Sequence, residues 1–190
     1  MDYIINRMRA ELPGNLQYHA LLHTLDVIKS AKYIGEAENV DGDDLLLLLT
    51  AAAYHDCGFI DTYAGHEEAS CKIASETLPR FGYTKDQINQ VLAMIRSTKV
   101  PQQATSHLAM VLCDADLDYL GRDSYDVISK TLLDELLMTG KDIDEKQWLH
   151  IQIKFLEDHQ YWTNYSKENR APQKADVLAR LKRDALQLKA

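Results

Sequence analysis

Cysteine is scarce in this chain: three residues among 190, Cys57, Cys71 and Cys113, with no CxxC pair. An odd, dispersed set argues against a disulfide framework, and the expected compartment is a reducing cytoplasm. Proline (four) and glycine (eight) are also few, and they fall mostly between periodic segments. No repeat, low-complexity tract or linker divides the chain. Long apolar runs are missing too. The longest, Leu45 to Tyr54, is about half a membrane span, and the stretch Met1 to Glu11 is too polar for a secretory segment. No membrane partner is expected. Positive charge is in deficit, 21 Lys and Arg against 29 Asp and Glu for a net charge of -8. That balance excludes a broad footprint on duplex nucleic acid. It leaves room for a small phosphorylated substrate, because a bound metal would reverse the local field.

What the chain does contain is helical periodicity. Leu21, Leu22, Leu25, Ile28 and Ala31 recur near a 3.6-residue period and predict a helix over roughly Asn15 to Glu36. Asp43 and Asp44 offer N-cap oxygens for a wholly apolar helix from Leu45 to about Tyr54, a core element. A third helix is expected from near His66 to Pro79. Thr84-Lys-Asp-Gln87 reads as a capping box for a fourth, ending around Ser97. Ser106 opens a fifth, reaching about Tyr119 before Gly121. Asp123 to Gly140, a helix after Asp144-Glu-Lys-Gln147, and a segment after Pro172 complete the set. No segment alternates with period two. The expectation is an all-α single domain over residues 1–190, a bundle of seven to eight helices.

The candidate chemistry sits in three places. His19 and His23 are four residues apart, so on a helix they share a face. Two histidines so placed are ordinarily surface or core residues. His55-Asp56 adjoin at the end of the apolar helix, where an unpaired carboxylate costs several kcal/mol. Either Asp56 caps a neighbouring helix and His55 bonds a carbonyl, or a cation compensates the charge. In Cys113-Asp-Ala-Asp-Leu-Asp118, Asp114 follows three apolar residues and a cysteine and is expected to point inward. Asp116 and Asp118 are expected to face water or cap the turn before Gly121. An EF-hand spacing is absent, so calcium is not suggested. Together His23, His55, Asp56 and Asp114 offer two nitrogens and two anionic oxygens, a set suited to Fe, Mn, Co, Ni or Zn, with Mg also admissible.

The ordered set His23, His55-Asp56 and Asp114 resembles the HD-domain superfamily of metal-dependent phosphohydrolases, over roughly residues 15 to 125. Tyr18-His-x3-His-x2-Asp-Val27 is similar to the segment of cyclic-nucleotide phosphodiesterases in which the first histidine donates a proton and the second binds metal. His66-Glu-Glu-Ala-Ser70 and Asp114-Ala-Asp-Leu-x2-Leu-Gly121 resemble segments of small bacterial HD proteins. No HD-GYP motif follows, so cyclic-di-GMP hydrolysis is not implied. The resemblance implies an HD-like core with the helices of 123–190 packed on it, and a divalent transition metal on His23, His55, Asp56 and Asp114. It also implies hydrolysis of a phosphomonoester or phosphodiester, nucleotide-derived, by metal-activated water. His19 and Glu67 are candidates for proton transfer, and His66 and Arg122 for substrate binding. Two alternatives stand beside it: a di-iron oxygenase or lyase on the same scaffold, and a non-catalytic metal- or nucleotide-binding regulator.

Overall fold

The structure, a computed structural model, describes residues 1–187. Residues 188–190 of the expected 1–190 domain lie outside the described residues. Ten α-helices follow one another without a strand among the described residues: α1 (Asp2–Glu11), α2 (Leu21–Ala37), α3 (Gly42–Tyr54), α4 (His66–Thr77), α5 (Lys85–Ser97), α6 (His107–Asp116), α7 (Tyr125–Met138), α8 (Glu145–Asp158), α9 (Asn164–Asn169) and α10 (Ala171–Gln187). The all-α class is as expected. The count exceeds seven to eight by the polar α1, which buries Ile4 and Met8 completely, and by the six-residue α9. No helix among the described residues is long and apolar enough to cross a membrane.

Helix α3 is the axis of the main core. Leu47, Leu48, Ala51, Ala52 and Ala53 are buried along it, and it packs against α2, α5 and α6. Each such leucine contributes about 1.5–3 kcal/mol on burial. The capping boxes read from the sequence are present at Thr84/Gln87 and Asp144/Gln147, each stabilising its helix start by about 1 kcal/mol. A second apolar cluster joins Leu117, Leu120 and Tyr125 to Leu149 and Leu156 of α8 and Val177 and Leu181 of α10. It fastens the C-terminal helices to the end of α6.

Two close approaches fix the turns near the site. Gly58 lies in a 3-10 turn (Cys57–Ile60) against the start of α4, where a Cβ would stand 2.0 Å from the His66 carbonyl oxygen. Its own N–H donates to Ser70 Oγ at 2.8 Å. Gly121 likewise lets the backbone of Arg170 approach, to 2.3 Å from the position a Cβ would take.

One boundary differs in a way that matters. Helix α2 begins at Leu21, not Asn15, so His19 precedes the helix and does not share a helical face with His23. The cause is Glu135 of α7, whose Oε2 accepts the backbone N–H groups of both Tyr18 and His19 at 2.9 Å. Those donors are satisfied from another helix, which holds the segment in a non-helical path.

Candidate metal centre

Three helix ends converge. His23 comes from the first turn of α2, His55 from the C-cap of α3 and Asp56 from the residue after it. One ligand atom from each lies within 4.8 Å of the others. His55 Nδ1 meets the Ala52 carbonyl at 2.8 Å. A carbonyl can only accept, so the proton sits on Nδ1 and Nε2 turns to the centre. From there His55 Nε2 is 3.2 Å and His23 Nε2 3.4 Å from Asp56 Oδ2. His55 Nε2 and Asp56 Oδ2 are both buried without a hydrogen-bond partner among the described residues.

The fourth member is Asp116, the last residue of α6. Its Oδ1 is 3.1 Å from His23 Nε2 and 3.4 Å from His55 Nε2. Separations of 3.1–3.4 Å match the edges of a coordination sphere whose bonds are about 2.0–2.2 Å long. The donor set, two imidazole nitrogens and two carboxylate oxygens, is the one expected for a divalent transition metal.

Asp114 does not join this group, which corrects the sequence-based expectation. Its Oδ1 accepts Trp162 N–H at 2.8 Å, and its Oδ2 accepts Thr163 N–H at 2.8 Å and Thr163 Oγ1–H at 2.6 Å. Residues two apart on a helix point about 200° from one another, so only one of Asp114 and Asp116 can face α2 and α3. Asp114 is indeed inward, as its apolar neighbours imply, but its partners come from the segment between α8 and α9. Asp118 is buried as well, against the expectation of a solvent-facing side chain, and takes Arg122, Arg170, Ser30 and the Tyr33 hydroxyl.

The electrostatics describe a point that requires positive charge. Burial works to lower the His55 pKa, yet Asp56 and Asp116 overrule it and raise it well above the ordinary value. Burial likewise works to raise both carboxyls. The facing imidazoles hold Asp56 well below the usual range and Asp116 down to about 2. Protons on the imidazoles or a cation can supply the charge these two buried carboxylates require.

His19 stands at the edge of the cluster, its ring 6.0 Å from that of His23. Its Nδ1 is 2.5 Å from Glu135 Oε1, which also accepts the Tyr63 hydroxyl at 3.0 Å. Burial alone would lower the His19 pKa, but the Glu135 hydrogen bond and the charges of Asp56 and Asp116 raise it. The Phe59 ring stacks against both His19 (4.3 Å) and His66 (3.9 Å), whose own rings lie 5.9 Å apart. His66 Nε2 lies 3.5 Å from Asp56 Oδ1 and 3.8 Å from Glu67 Oε1. Glu67 and His66 are thus both beside the centre. Glu135, fully buried, has no place in the sequence-based set. The available signal was an acid in the leucine-rich run Leu132 to Leu137.

A cavity of about 340 Å³ opens on His23 and Asp116, walled by Tyr18, Tyr119 and Arg122. Arg122 reaches it with its guanidinium already engaged: Nε to Asp118 at 2.5 Å, Nη1 to both Asp26 oxygens at 2.8 and 3.0 Å, Nη2 to Ser30 Oγ at 2.5 Å. As a free phosphate clamp Arg122 is therefore corrected by the structure, because its donors are spent on two carboxylates and a hydroxyl.

The chain matches the HD domain family over residues 21–118. No curated protein matches it. Its fold is similar to the crystal structure of a predicted HD superfamily hydrolase from an uncultured Thermotogales bacterium, with a TM-score of 0.66 and 22% identity, covering 99% of this chain and 92% of that one.

Proposed function

Because this chain belongs to the HD-domain family, a superfamily of metal-dependent hydrolases, we propose that it hydrolyses a small phosphate ester, a nucleotide-derived phosphomonoester or phosphodiester. The observation that carries the reading is the buried, unpartnered pair His55 Nε2 and Asp56 Oδ2, faced by His23 and Asp116. Two polar atoms left unpaired in the interior cost about 1–3 kcal/mol each, and a cation held by these four residues removes that cost. Asp116 replaces Asp114 in the ligand set.

A divalent ion supplies Lewis acidity toward a phosphoryl oxygen and toward a water molecule. The remaining chemistry belongs to the chain. His19, held by Glu135 at Nδ1 and raised in pKa, carries a proton at Nε2 for the departing oxygen. Glu67, beside His66 and Asp56, is placed to accept the proton of the attacking water. His66 borders the position a phosphoryl group would take. The cavity at His23 and Asp116 admits a small substrate, and Arg122 and Asp26 shape its wall. A cytoplasmic setting and a small phosphorylated partner fit this reading.

The test is metal analysis of the purified protein, then turnover of p-nitrophenyl phosphate, bis-p-nitrophenyl phosphate and a panel of nucleotides before chelation, after it, and after restoring Mn, Fe, Co, Ni or Zn. The expected result is a stoichiometric metal and an activity that chelation abolishes and metal restores. Undiminished turnover in metal-free protein, or none on any phosphate ester in the loaded protein, overturns it.

A further inference from the structure

Asp26 lies one helical turn beyond His23 on α2, at the i, i+3 spacing that makes side chains neighbours. Both residues line the cavity of about 340 Å³, together with Asp116 and Arg122. Asp26 Oδ1 and Oδ2 accept from Arg122 Nη1 at 3.0 and 2.8 Å. The Asp26 side chain is 39% exposed and that of Arg122 21%, so the pair is open to solvent on the cavity wall.

A carboxylate in that place cancels the charge of the cation beside it. Arg122 is the one Lys or Arg lining this cavity among the described residues. Its Nε and Nη2 are held from the buried side by Asp118 and Ser30. Nη1 is the arm given to Asp26. Asp118 is shared with Arg170 at 2.6 Å, so two carboxylates answer two guanidiniums and the set is neutral. At the centre, Asp56 and Asp116 balance the charge of a divalent ion. The other polar groups on the wall, Gln17, Ser124 and Thr131, are uncharged. A phosphodiester brings one negative charge to this wall. A phosphomonoester brings about two above its second pKa of about 6. Charge taken out of water needs a counter-charge, and for the second negative charge the wall has none. Leu22, 79% exposed on the same wall, suits an uncharged ester arm.

We propose that Asp26 is a specificity-determining residue: by occupying Arg122 Nη1 it keeps the substrate cavity electroneutral and selects singly charged phosphodiesters over doubly charged phosphomonoesters. This rests on the phosphate-ester reading and narrows it. Asp26 touches no reacting atom and acts through Arg122.

The test compares p-nitrophenyl phosphate with ethyl p-nitrophenyl phosphate, which share a leaving group and differ by one charge and the ethyl arm. At pH 8 the native, metal-loaded protein should give kcat/KM for the diester about tenfold or more above that for the monoester. The ratio should fall as pH drops below about 6, where the monoester takes up its second proton. Asp26→Asn removes the cancelling charge and should move the ratio toward the monoester by about ten- to hundredfold, the scale of a hydrogen bond to a charged group. Asp26→Glu should keep the native ratio. Calorimetry with inorganic phosphate at pH 8 reads the same change without turnover: Asp26→Asn should bind it about tenfold more tightly than the native protein. Thr131→Lys adds a cation to the wall with Asp26 intact and should move both readings the same way, so a poorly folding Asp26→Asn does not leave the question open. No turnover of either ester overturns the phosphate-ester reading and this assignment with it. Turnover with a native monoester preference at pH 8 overturns the assignment alone. So does an unchanged ratio and phosphate affinity in folded, metal-loaded Asp26→Asn or Thr131→Lys.

Discussion

Glu135 binds the segment before α2 three times over: its Oε1 meets His19 Nδ1 at 2.5 Å, and its Oε2 accepts the N–H groups of Tyr18 and His19. Burial works to raise the Glu135 pKa from 4.5, but the His19 hydrogen bond and the two backbone donors bring it down to about 2. A carboxyl depressed in the folded state contributes stability that is present above its unfolded pKa and is lost as pH falls toward the folded one. The native protein should therefore be more stable than Glu135→Gln at pH 6, and the gap should close as pH falls from about 4.5 toward 2. Urea denaturation of both proteins over that range checks the sign. A gap that stays constant or widens toward acid would contradict the pairing.

His19→Ala is expected to keep its metal and lose turnover by roughly 10²–10⁴-fold, the usual scale of general acid–base catalysis. The loss should shrink for esters with good leaving groups, which depart without a proton. If the variant instead melts lower and turns over normally per folded molecule, His19 only packs against Phe59 and Glu135.

Asp114 and Asp116 should separate cleanly under Asp→Asn exchange. Asp116→Asn removes an anionic oxygen facing both His23 and His55, so metal content should fall sharply. Asp114→Asn turns an amide N–H toward the donors of Trp162 and Thr163 and should cost about 1–3 kcal/mol of stability with metal retained. Elemental analysis beside thermal melts distinguishes them. Metal loss confined to the Asp114 variant would restore the assignment drawn from the sequence.

Gly58→Ala places a Cβ 2.0 Å from the His66 carbonyl oxygen and 2.6 Å from the Ser70 nitrogen. The obstacle is backbone, which cannot rotate away. Destabilisation at the upper end of the overpacking range, about 1–3 kcal/mol, should accompany a weakened site, since α4 carries His66 and Glu67. A melting temperature within error of the native value would show that the turn can move.

The helices were legible where periodicity and capping coincide, as at Thr84/Gln87 and Asp144/Gln147. His55 and Asp56 were legible because an apolar helix that ends in His-Asp creates a charge problem in local sequence, whereas His23 was singled out by its spacing from His19, a shared helical face the fold does not form, and by the family resemblance. Asp116 was not. Apolar neighbours say that a carboxylate is buried, never which chain segment answers it, and the donors that claim Asp114 lie 48 and 49 residues later. The same holds for Glu135, 116 residues from His19, and for Arg122, whose pairing with Asp26 spans 96.

The bracket on Asp114 bears on the order in which the protein is completed. A nascent chain that has left the ribosome only as far as Gly121 already carries His23, His55, Asp56 and Asp116. Its Asp114 lacks Trp162 and Thr163, and its Asp118 lacks Arg170. Two buried carboxylates would then flank the last ligand without their counter-groups, so the end of α6 cannot settle. On the proposed reading, a metal would therefore reach its final geometry only after residues 162–170 have emerged. A fragment ending at Gly121 would be a ligand set without its lock.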